Sequence, residues 1–271
     1  MKIRAGFHIG YECEYETPML LVLNIHPSRR VDLLTEQVLS FDQPIEAWGY
    51  TDSFGNACSR IVAPPGLTTI SSGFEVYDGG LPDPVPGDAV QHDINHLPDD
   101  VLVYLLGSRY CDTDRLADFA WKTFFATQPG WPRVQAILDF THNHIAFDYS
   151  KADPLRTAFG GFMERTGVCR DFAHLAITLC RCMNVPARYC TGYLGDIGVP
   201  KSPSPMDFSA WFEVYLSGRW YTVDARHNTP RIGRILMATG RDATDVAMST
   251  AFGPAILKRF QVVTEEILDA A

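Results

Sequence analysis

Cys169 opens an apolar run with helical spacing, Thr166-Gly167-Val168-Cys169-Arg170-Asp171-Phe172-Ala173-His174-Leu175. The positive end of a helix dipole and a neighbouring cation, Arg170, both favour the thiolate, which is the nucleophilic form of the side chain. Free cysteines are otherwise among the most buried and inert residues. Gly167 before it and the charged pair after it set Cys169 apart from Cys180, Cys182 and Cys190, which sit inside apolar runs. Two strand-like runs follow, Phe208 to Leu216 and Trp220 to Asp224, and the second ends on a carboxylate. A carboxylate behind apolar and aromatic residues needs a donor or a counter-charge: an imidazole it orients, a neighbouring Arg226 or Arg188, or the turn that follows, which it would cap. The chemistry within reach is nucleophilic acyl transfer. A thiolate attacks a carboxamide or peptide carbonyl, ammonia or an amine leaves, and an amine or water resolves the acyl-thioester.

Helices and strands must hold these groups in place. The cysteine helix is expected over 169–183, stopped by Asn184 and Pro186, with strands at Ala187 to Leu194, Phe208 to Leu216, Trp220 to Asp224, Arg234 to Ala238 and Leu257 to Thr264. Two helices precede it, Asp112 to Phe125 and Trp131 to His144, each with an apolar stripe. The first third differs: Ile3, Ala5, Phe7 and Ile9 alternate, and β-rich runs follow at Leu20 to Ile25, Leu33 to Phe41, Ile45 to Tyr50, Ser59 to Val62 and Leu67 to Tyr77. Residues 79–100, rich in Gly, Pro and Asp, have no periodicity and read as a connection. The expected fold class is α+β, with an amino-terminal β-sandwich-like domain at 1–85 and a helices-then-antiparallel-sheet core at 86–271, the boundary falling within 79–100.

The succession GVCRDFAHL, then Asn184-Val185-Pro186-Ala187-Arg188-Tyr189 and Gly192-Tyr193, then AWFEVYL and GRWYTVDARHNTPRIGR, resembles the transglutaminase-like superfamily. It is most similar to the bacterial branch of transglutaminase-like cysteine proteases that carries its own amino-terminal domain. The resemblance implies a papain-like, transglutaminase-like core and a Cys-His-Asp triad, whose cysteine falls on Cys169 and whose aspartate falls on Asp224. The histidine position reads Ser209, in Ser209-Ala210-Trp211. A serine hydroxyl is too weakly basic to take the thiol proton near neutral pH, so Ser209 is either a spectator or the holder of a water.

His227, three residues after Asp224, belongs on the opposite strand face unless the chain turns at Arg226, a turn that Asn228 and Pro230 permit. It is then either a substitute base or a structural hydrogen-bonding group. His174 is rotated away from Cys169 on the helix and is expected in the core. Trp211 shares Ser209's strand face and is expected to shield the sulfur, contacting substrate together with Arg170. Two functions stay open: a cysteine acyltransferase, amidase or peptidase acting on protein or peptide carboxamides and impaired at Ser209, or a non-catalytic module that binds a peptide or protein in the same cleft.

A length of 271 residues with 46% hydrophobic composition suffices for two domains with cores of their own. The net charge of −9 argues against nucleic acid or an anionic membrane as partner, because both demand a basic face. The first residues alternate and carry charge, and no uninterrupted apolar stretch is long enough to span a bilayer, so a soluble, unexported chain is expected. Seven cysteines, an odd number without framework spacing, read as reduced cytoplasmic thiols. His142 and His144 face different ways on a helix, and His92 and His96 lack a second ligand pair, so no metal is expected. No phosphate-cradling glycine loop or dinucleotide fingerprint occurs, and no cofactor is expected.

Overall fold

The alternation at the amino end makes a strand: on β1 (Lys2–Cys13) the side chains of Ile3, Ala5, Phe7 and Ile9 are all 1% exposed or less. The computed structural model describes residues 1–202 and 205–268. Strands β2 (Thr17–Leu21), β3 (Ser40–Phe41), β4 (Trp48–Thr51), β5 (Ala57–Ala63) and β6 (Gly66–Tyr77) follow. β6 lies antiparallel along all of β1, from Lys2 opposite Tyr77 to Cys13 opposite Gly66. β2 and β5 pair in a second sheet, and Met19, Leu21 and Ile61 from it meet Phe7, Ile70 and Phe74 from the first in one core, as in a sandwich. The run Leu33 to Phe41 is strand only at β3. A 3-10 turn at Pro27–Asp32 precedes it, and Leu33 and Leu39 cover the sandwich core as irregular chain.

Beyond the connection come α1 (Asp99–Leu102), α2 (Thr113–Phe124), α3 (Trp131–His144), β7 (Ala146–Phe147), α4 (Ala158–Glu164), β8 (Thr166–Gly167) and α5 (Cys169–Cys182). β7 and β8 form a short parallel pair that sets Phe147 opposite Gly167, immediately ahead of the cysteine helix. Strands β9 (Ala187–Leu194), β10 (Ser209–Leu216), β11 (Arg219–Val223) and β12 (Arg234–Gly240) make an antiparallel sheet in the order β11-β10-β9-β12. One face of this sheet, with Ala210, Phe212, Val214 and Leu216, buries against α5, on which α2 and α3 pack in turn. From the opposite face Tyr193, Ile235 and Met237 enter the sandwich core. The two cores therefore share one sheet.

The last strands, β13 (Ser249–Ala251) and β14 (Ala255–Ile267), pair with β2 and β1 and complete the sandwich sheets, in the orders β13-β2-β5-β4 and β14-β1-β6-β3. The division expected at 1–85 and 86–271 thus differs from the observed one at the carboxyl end, where 249–267 belongs to the sandwich; residues 269–271 of that span lie outside the described residues. Alternation identifies a strand but not its partner, and β1 offers β14 an edge about two hundred and fifty positions away in sequence.

Candidate active site

Cys169 is the first residue of α5, after the extended residue Val168. The third helical residue, Asp171, reaches back so that its Oδ2 accepts the Val168 N–H at 2.8 Å and the Arg156 Nη1 at 3.1 Å. This closes one half of a capping box over a buried ion pair. Gly167 is required there, since a Cβ at that position would lie 2.5 Å from the Asp171 Oδ2. α5 packs across β10, and the Ala210 backbone N–H favours the charged form of the sulfur. Burial pushes the Cys169 thiol up to about 11; the Arg226 charge and the Ala210 amide pull against it, while Asp207 and Asp224 add to it. Arg170, expected to lower the thiol, instead turns away. Its guanidinium donates to the Asp153 carbonyl, pairs with Asp171 at 3.7 Å and lies 5.5 Å from the Tyr110 ring centre.

Asp224 follows the last residue of β11 and is saturated with donors. Oδ1 accepts the backbone N–H groups of Arg226 and His227 at 3.0 and 3.1 Å. Oδ2 accepts the His227 Nδ1–H and the Arg234 Nη2, each at 2.9 Å. Burial works against the charged carboxylate, but the Arg234 charge and the His227 bonds outweigh it and hold the group well below the usual carboxylate range. The chain does turn after Asp224, so the sequence neighbour His227 comes back to the acid. The His142 Nδ1 sits 3.2 and 2.9 Å from the Ala225 and Arg226 carbonyls, which pins the turn from α3.

Ser209 begins β10, opposite Gly192 of β9, where a Cβ would collide with the Ile235 carbonyl and the Trp211 ring. It lines a cavity of about 530 Å³ together with Tyr149, Asp207, Arg226 and His227. Trp211, expected over the sulfur, is buried on the face away from α5. Its ring lies 5.0 Å from the Arg234 guanidinium and lines a separate cavity of about 380 Å³. His174 is the expected core histidine: Nε2 accepts the Ala243 N–H at 3.2 Å, the ring lies between Tyr110 and Tyr189, and burial lowers it to about 3.

The structure thus brings His227 to Asp224 and puts Ser209 and His227 on one cavity, with Cys169 on the helix that packs across β10. Among the described residues no imidazole hydrogen-bonds the sulfur. Sequence reasoning missed Arg226, Asp207 and Tyr149. Arg226, two residues after the acid, enters the sequence reading only as a partner for Asp224 and not as a wall of the cavity, and Asp207 lies two residues before Ser209, so adjacency could have flagged both. Tyr149 is far away in sequence and left no signal. Among the described residues no group of three or more His, Cys, Asp or Glu could hold a metal, and no helix is long and apolar enough to cross a membrane.

The family described as the Transglutaminase-like superfamily matches residues 121–225, from α2 past Asp224. The crystal structure of a candidate cysteine protease from Cytophaga hutchinsonii superposes with a TM-score of 0.86 at 30% identity, covering 100% of this chain and 92% of that one. An uncharacterised protein of Mycobacterium leprae is 38% identical over 85 residues, 30% of each chain. One from Mycobacterium tuberculosis is 27% identical over 197 residues, 68% of this chain and 58% of the other. The matches span less than two thirds of both mycobacterial proteins.

Proposed function

Because the chain belongs to the transglutaminase-like superfamily, we propose that it is a cysteine acyltransferase, amidase or peptidase acting on protein or peptide carboxamides, slowed because Ser209 stands where a general base would. The observation that carries this reading is a cysteine at the first position of α5, which packs across β10 beside a cavity lined by Ser209, Asp207, Arg226 and His227. In this chemistry the Cys169 sulfur attacks the carboxamide carbon, the C–N bond breaks, the departing nitrogen takes a proton, and a second amine or water resolves the thioester. Asp224 and His227 fix the turn that walls the cavity. Substrate comes from a protein or peptide, without nucleic acid or membrane. The seven thiols, all free, suit a reducing cytoplasm.

A second reading, a peptide- or protein-binding module, is favoured by the thiol's elevation to about 11, which leaves little thiolate at neutral pH. The test is incorporation of a fluorescent primary amine into a glutamine-containing protein, with hydrolysis of a peptide amide followed in parallel. A slow rate abolished by Cys169→Ala supports the enzyme. No rate in either form, with peptide binding unaffected by Cys169→Ala, supports the module.

A further inference from the structure

We propose that Arg226 is the charge partner of Cys169: the turn fixed by Asp224 presents a guanidinium to the sulfur and stabilises its thiolate, the part an imidazolium plays in a Cys–His pair. The inference rests on the reading of Cys169 as the reacting thiol. Arg226 is the second residue of a turn tied down at both ends. Its N–H is held by the Asp224 Oδ1 at 3.0 Å, and its carbonyl faces the His142 Nδ1 at 2.9 Å. From that base its guanidinium carbon lies 3.8 Å from the centre of the Phe147 ring, a stacking distance. Phe147 is opposite Gly167 in the β7–β8 pair, two residues before Cys169, so the stack delivers the cation to the start of α5. Arg226 also lines the cavity with Ser209, Asp207 and Tyr149.

Asp224 thereby acquires a different task. Its side chain is fully used by Arg234, His227 and two backbone amides, and what those amides hold in place is the Arg226 backbone. A guanidinium cannot accept a proton. The S–H bond therefore breaks with its proton passing to water or a buffer base in the open cavity, the electron pair stays on sulfur, and Arg226 offsets the new negative charge.

The other groups that act on the sulfur come from every neighbouring element: Asp207 ahead of β10, Asp224 after β11, Tyr149 beyond β7 and Tyr189 on β9. Asp207 and Asp224 oppose the thiolate, and on its own helix Arg170 and Asp171 are engaged with Asp153, Arg156 and Tyr110. Of these groups Arg226 is the one whose positive charge favours the thiolate.

The experiment is the rate of iodoacetamide alkylation at Cys169 against pH, read by mass spectrometry, for wild type, Arg226→Met and Arg226→Lys. It needs no turnover, so it stands or falls apart from the proposed reaction. Removing an opposite charge is expected to raise the alkylation midpoint by about one unit or more, which slows labelling about tenfold at any pH below both midpoints, while Arg226→Lys stays near wild type. Indistinguishable profiles for wild type and a natively folded Arg226→Met overturn the proposal. If Arg226→Met does not fold, wild type decides by salt: a midpoint that rises between low and high ionic strength supports it, and an unmoved one overturns it.

Discussion

Asp224 is buried and Cys169, on an adjoining segment, is half-buried, yet they are driven to opposite ionisation states. Asp224 has four donors, two of them from side chains that carry or can carry positive charge, and is held as a carboxylate. At Cys169 the Arg226 charge and the Ala210 amide do not outweigh burial, and the group is held as a thiol. Burial penalises charge at both places alike, so the partners decide the outcome. The carboxylate is fully supplied with donors, whereas the thiol is under-supplied.

The comparison is broken most severely from the acid side. Arg234 is 7% exposed and pairs with both Asp83 and Asp224, so Arg234→Met leaves two carboxylates without their cation and is expected to cost about 3–5 kcal/mol of stability. Urea unfolding of the two proteins measures it, and a loss under about 1 kcal/mol would mean that the acid does not depend on its donors.

From the nucleophile side, Ser209→His supplies the missing base and is expected to raise acyl-transfer or amide-hydrolysis rates by about 10² or more. A wild-type rate that collapses on His227→Ala and gains nothing from Ser209→His would instead make His227 the working imidazole.

A finer test uses His174, on the same helix as Cys169 and likewise kept neutral by burial. Its folded value, lowered to about 3, lies below the unfolded one near 6.5, so between those limits the unfolded chain binds the extra proton. Stability from this group is complete above about pH 6.5 and falls by about 1.4 kcal/mol for each pH unit below it. Unfolding free energies from pH 7 to pH 4 should show that slope in wild type and a shallower one in His174→Asn.

The chain states much of this plainly. The cysteine helix, expected over 169–183, runs Cys169–Cys182, and β9 occupies its expected Ala187–Leu194, because apolar periodicity and the Asn184–Pro186 stop are local signals. His227 was conditional on a turn, and the turn exists because the Asp224 carboxylate binds the two following amides, a local motif of short acidic side chains. What stayed hidden is non-local. Arg170 looked like the thiol's cation because it is the next residue, but one step along a helix rotates a side chain about 100° away, and Asp153, Tyr110 and Asp171 claim it. Trp211 shares Ser209's strand face, and the sheet, once folded, directs that ring to Arg234 and the face away from α5.

The pairing of β14 with β1 has a consequence for how the molecule comes into being. Lys2 is opposite Ile267, so the sandwich that β1 begins is completed only by a strand translated about two hundred and fifty residues later. At ordinary translation rates β1 waits on the order of ten seconds or more with one edge open. The site waits with it. Phe208, the residue immediately before Ser209, lodges among Phe7, Tyr193 and Phe260, and Phe260 is itself part of β14. A nascent chain can thus form the cysteine helix early, yet the strand start that carries Ser209 gains its Phe260 contact only once β14 reaches β1, so the surroundings of Cys169 are completed after the helix that carries it.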